Sequence, residues 1–155
     1  MSPATRTIAL PDTAATEALG ASLAPALRHG GLVTLGGELG AGKTTLVRAL
    51  LRAMGHAGPV RSPTYAIVES YRIEDLDIYH LDLYRLADPG ELEFIGLRDW
   101  LVPSNLILIE WPERGEGFLP TADLHVQLGH EGDGRVAIVT GRTRDASGPG
   151  DPSES

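Results

Sequence analysis

Residues 37–44, Gly37-Glu38-Leu39-Gly40-Ala41-Gly42-Lys43-Thr44, follow the pattern G-x-x-x-x-G-K-[ST] and constrain the fold more than any other segment of the chain. Before them, Leu32-Val33-Thr34-Leu35 reads as a short buried strand. After them, Val47, Leu50, Leu51 and Met54 recur at i, i+3, i+4 and i+7 of a helix that Gly55 stops. Glycines admit backbone conformations closed to other residues, so successive N–H groups can face a phosphate while the helix N-terminus adds its positive end. Lys43 would then reach the β and γ phosphates, and the Thr44 hydroxyl would ligate a magnesium ion bridging them. Lys43 is also the only lysine in a chain that otherwise uses arginine, which suits a position needing a compact point charge.

The rest of the chain has room for one domain. A length of 155 residues with 42% apolar content supports a single core. Leu19, Leu23 and Leu27 share one face of an N-terminal helix, with Asp12 or Thr13 as its cap and Pro25 expected to kink or end it near Ala24. Further strands are expected over 65–71, 78–83 and 106–109, and a closing hairpin over 124–128 and 135–140. Asp88-Pro89-Gly90-Glu91 has the form of a helix start, and a further turn is expected around Trp100. The fold class this predicts is α/β, a P-loop NTPase-like three-layer fold with a mixed central sheet and helices on both faces. Residues 1–141 are expected to form that domain, and 142–155, rich in Ser, Gly, Pro, Asp and Glu, a polar disordered tail.

Magnesium on a nucleotide needs more oxygen than one hydroxyl, which directs attention to acids at strand ends. Glu110 closes the apolar run Leu106-Ile107-Leu108-Ile109, and Asp82 shares a strand face with Ile78 and His80. Either acid could hold the metal, directly or through water, or orient an attacking water; the alternative is that each simply leaves its strand for solvent. Thr64, and less so Ser62, stands where nucleotide switches place a hydroxyl, although a proline turn explains both equally well. His80 reads as packed or hydrogen-bonded, Trp111 as covering either the core or a nucleotide, and Arg85 as one arginine among twelve.

Composition narrows the partners. A net charge of −8 argues against a broad grip on a nucleic-acid backbone. Zero cysteines exclude disulfides and thiolate metal sites. No apolar run reaches the roughly 18–20 residues of a bilayer span, and no leader pattern opens the chain, so the cytoplasm is the expected location.

Four segments together, 37–45, Ser62-Pro63-Thr64-Tyr65, His80-Leu81-Asp82-Leu83-Tyr84-Arg85-Leu86 and Ile109-Glu110-Trp111-Pro112-Glu113, resemble the bacterial TsaE (YjeE) family in order and approximate spacing. The resemblance covers roughly residues 8–140. It implies a small ATPase, slow by itself, that supports TsaB-like and TsaD-like partners in forming N6-threonylcarbamoyladenosine in tRNA, with the chemistry on the TsaD-like partner and tRNA engaged only indirectly. It implies ATP and Mg2+ as cofactors and a monomer or weak oligomer alone. Carried residue by residue, it makes Lys43, Asp82 and Glu110 catalytic, and Thr44, Asp82 and Glu110 the metal site. Nucleotide contacts would come from Glu38, Leu39, Gly40, Ala41, Gly42, Lys43, Thr44 and Thr45, with Thr64, Trp111 and, near the base, Thr16.

Three rivals remain at this stage. A small-molecule P-loop kinase would need an acceptor pocket and a lid, and only a hairpin and tail follow Glu110. A GTPase switch would carry N-K-x-D, which a chain with its single lysine at position 43 cannot have. The third is a nucleotide-free scaffold, for which wild-type and Lys43→Ala forms would behave alike in ATP binding and partner activation; within the nucleotide-binding reading, a nucleotide-dependent switch without significant turnover is the other alternative.

Overall fold

The structure, a computed structural model, describes residues 4–38, 40–61 and 68–141. The expectations for Leu39, Ser62, Thr64 and the 142–155 tail fall outside them.

Strand β1 (Ala4–Leu10) leads into helix α1 (Thr13–Ser22). Asp12 caps α1 by accepting from the Ala15 N–H at 2.9 Å. The helical path breaks at Leu23 and restarts as α2 (Ala24–Leu27), with Pro25 in its first turn, where the missing N–H costs least. Strand β2 (Gly31–Gly36) precedes the phosphate-loop segment and helix α3 (Lys43–Met54). Val47, Leu50, Leu51 and Met54 are all buried, as their spacing predicts. Next come β3 (Val68–Ile73), β4 (Leu76–Asp82), the single-turn helices α4 (Glu91–Phe94) and α5 (Leu97–Trp100), β5 (Leu106–Glu110), a 3-10 turn (Pro112–Gly115), β6 (Leu124–Glu131) and β7 (Gly134–Gly141).

The seven strands form one sheet in the order β1-β7-β6-β2-β5-β4-β3. Its centre, β6-β2-β5-β4, is parallel, and the outer pairs are antiparallel. Alternation along each strand feeds two apolar layers. Val33, Leu35, Leu106 and Leu108 pack under α1, α2 and α3, while Leu32, Ile107 and Ile109 pack under α4 and α5. The predicted α/β class, mixed sheet and two helical faces are therefore all present. Each fully buried leucine in these layers contributes roughly 1.5–3 kcal/mol relative to exposure.

Several boundaries differ from the sequence reading: the strand expected over 78–83 is Leu76–Asp82, the one expected over 65–71 runs on to Ile73, and both hairpin strands are longer than expected. Asp88 and Glu91 do exchange the reciprocal cap bonds, Gly90 N–H to Asp88 at 2.9 Å and Asp88 N–H to Glu91 at 3.1 Å, but residues 88–90 stay a turn and the helix starts at Glu91. Strand β1, for which no strand was expected, pairs along its length with β7.

Candidate active site

The carboxyl ends of the parallel strands are where an open α/β sheet leaves a crevice for ligands, and a cavity of about 390 Å³ lies there. Gly42 enters α3 with φ 106° in the left-handed region, and no side chain caps the helix. The first-turn N–H groups are thus left for an anion. Lys43, Thr44, Thr45, Gly40, Gly42 and Thr16 all line the cavity.

Lys43 is buried, 5% exposed. Its ammonium donates to the Gly37 carbonyl at 2.6 Å and stands 3.9 Å from the centre of the Trp111 ring. Burial pulls its pKa below the usual lysine value, against the raising influence of Glu110, Asp82 and Glu113. Trp111 itself holds a left-handed backbone, φ 58° and ψ 52°, rare for a bulky residue, with its N–H on the Leu35 carbonyl. It packs partly against the α4/α5 layer and also faces the cavity.

Asp82 and Glu110 are register partners on the adjacent parallel strands β4 and β5, and both line the cavity. The idea that Glu110 leaves its strand for solvent fails, because it is 3% exposed and hydrogen-bonded at 2.6 Å to His80, which is fully buried. Asp82 accepts from the Tyr84 N–H at 3.0 Å. Burial pushes the Asp82 carboxyl above the usual aspartate range, Glu110 adding to the rise and the Tyr84 N–H opposing it. With the Thr44 hydroxyl these are hard oxygen donors of the kind magnesium takes.

A group with a raised folded pKa contributes stability that is present in acid and lost as pH rises through that raised value. Asp82→Asn cannot ionise and escapes the loss. It should therefore unfold at a higher temperature than wild type at neutral pH, the gap closing as pH falls below the ordinary aspartate range. The same variant should need more magnesium for any nucleotide-dependent activity; melting curves across pH alongside a magnesium titration test both.

Other expectations are placed differently. Glu38 is exposed and Ala41 belongs to the core, so neither forms cavity wall; the Glu38 carbonyl accepts from the Ala41 N–H at 3.1 Å and shapes the loop. Thr16 lines the cavity beside Gly42. Arg85 is exposed and lies outside it. The 10–13 segment, with Asp133, Gly134 and Arg135, completes the wall and escaped the sequence reading. Gly134 matters through its missing side chain, since a Cβ there would approach the Leu10 carbonyl oxygen to 2.9 Å; this lets the β6–β7 hairpin close against the connection from β1 to α1. Arg135 then donates to the Gly40 carbonyl at 3.0 Å.

A parallel-centred sheet with a glycine loop, an uncapped helix and paired strand-end acids defines a P-loop NTPase-like domain. The profile of the family described as "Threonylcarbamoyl adenosine biosynthesis protein TsaE" matches residues 10–137. The chain belongs to that family. It is 55% identical over 112 residues to the tRNA threonylcarbamoyladenosine biosynthesis protein TsaE of Haemophilus influenzae, covering 72% of this chain and 71% of that one. The protein of the same name from Bacillus subtilis is 35% identical over 124 residues, 80% of this chain and 77% of that one. Among solved structures, Bacillus subtilis YdiB superposes with a TM-score of 0.76 at 26% identity, over 95% of this chain and 92% of that one.

Proposed function

We propose that the chain binds Mg-ATP in this cavity and hydrolyses it to support the proteins that form N6-threonylcarbamoyladenosine in tRNA. The observation that carries this reading is the convergence of Lys43, Asp82 and Glu110 on one cavity at the uncapped N-terminus of α3.

The free N–H groups at the start of α3 bind the phosphate tail, and Lys43 exchanges the Gly37 carbonyl for phosphate oxygens. Trp111, over the ammonium, excludes water from that contact and keeps the charge aimed inward. Thr44, Asp82 and Glu110 are the residues to hold magnesium, which when bound neutralises charge on the β and γ phosphates. Glu110, buried and fixed by His80, is placed to orient water and take its proton as the oxygen attacks the γ-phosphorus. The bond from that phosphorus to the bridging oxygen breaks, and ADP and phosphate result.

The family and its named relatives supply the pathway. The charge of −8 favours protein partners, TsaB-like and TsaD-like, over direct contact with tRNA. Hydrolysis would reset their complex between rounds. Mixed with those partners and ATP, the purified chain should raise phosphate release and sustain many cycles of tRNA modification. Equal turnover in its absence would remove the proposal.

A further inference from the structure

His80 is fully buried, yet Nδ1 meets no partner among the described residues, and Nε2 sits 2.6 Å from Glu110 Oε2. A hydrogen on Nδ1 would be buried and unpaired, at a cost, whereas an unpaired lone pair in apolar surroundings costs less. The hydrogen therefore belongs on Nε2, where a carboxylate accepts it. His80 and Glu110 reach each other because residues 78, 80, 82 of β4 and 106, 108, 110 of β5 face the same helical layer, with His80 level with Leu108.

We infer that His80 is a positioning residue for Glu110: the Nε2–H bond pins one carboxylate oxygen in the sheet and keeps the acid from collapsing onto the Lys43 ammonium. Lys43 is the one lysine in the chain and shares the cavity with Glu110. Of the acids acting on it, Glu110 has the strongest charge effect. A carboxylate free to swing would form that pair, removing both the cation from the phosphates and the acid from the water. His80 holds the two apart through one oxygen of Glu110, and the second has no hydrogen-bond partner among the described residues.

The inference rests on the Mg-ATP reading, and its test separates the two. A glutamine amide nitrogen lies about as far along the side chain as Nε2, and an asparagine one only as far as Nδ1, so the two variants match in polarity and differ in reach. His80→Asn should lower single-turnover ATP hydrolysis by roughly 10- to 100-fold and raise the magnesium needed, with the KM for ATP little moved, while His80→Gln restores most of the rate. In nucleotide-free wild type, nitrogen NMR of the ring should show the hydrogen on Nε2. Equal rates in the Asn and Gln variants beside a turning-over wild type, or a hydrogen found on Nδ1, overturn the inference alone. A wild type that neither binds nor cleaves Mg-ATP, with or without partners, overturns the ATP reading and the inference with it. Should His80→Asn fail to fold, the ring nitrogen signals decide.

Discussion

Lys43→Ala should lose ATP turnover by on the order of 100- to 1000-fold, the range seen when one preorganised donor to developing charge is removed. Binding should weaken less. A charge-assisted hydrogen bond contributes about 1.5–3 kcal/mol, or roughly 10- to 150-fold in affinity. The cavity geometry explains why the ammonium itself matters. It occupies a slot between the Gly37 carbonyl at 2.6 Å and the Trp111 ring at 3.9 Å, leaving little width for a planar guanidinium. Lys43→Arg should accordingly fail to restore turnover. Calorimetric titration with Mg-ATP and a phosphate-release assay measure the two effects, and helical circular dichroism confirms that α3 persists. A variant that binds ATP as wild type does would remove the phosphate role of Lys43.

Glu110→Gln should separate binding from chemistry. The amide keeps the shape of the acid, and its oxygen can still accept from His80 Nε2, so the buried pair survives. It cannot take a proton from water. Hydrolysis should fall on the order of 100- to 1000-fold, within the range for loss of a general base, while affinity for ATP at saturating magnesium stays close to that of wild type. Such a chain would hold ATP without releasing phosphate. With the partner proteins it should give at most about one cycle of modification per complex. A rate unchanged by the substitution would move the base elsewhere.

How much of this was legible before the structure depended on whether the signal was local. The strand–loop–helix unit around Lys43 was readable because its apolar spacing and its glycines lie within about twenty-five residues of sequence. The face shared by Ile78, His80 and Asp82 followed from strand alternation alone. The depth of Glu110 did not follow. Ending an apolar run is compatible with either solvent or a buried pair, and only the β4–β5 register brings His80 within reach. The wall formed by Asp133, Gly134 and Arg135 was out of reach for a similar reason. A hairpin turn followed by an arginine carries no spacing signature, and its contact with Gly40 spans ninety-five positions. The helix starts at Glu91, two residues later than a cap at Asp88 suggests, because the cap bonds of Asp88 and Glu91 also form around the turn at 89–90.

The central claim is that the cavity above α3 takes a triphosphate. A crystal structure of the full chain with magnesium and a non-hydrolysable ATP analogue tests it most directly. The account predicts the β and γ phosphates against the main-chain N–H groups of 40–44, with Lys43 Nζ moved off the Gly37 carbonyl and onto phosphate oxygen. An analogue bound elsewhere, with Lys43 still seated on Gly37, would contradict it.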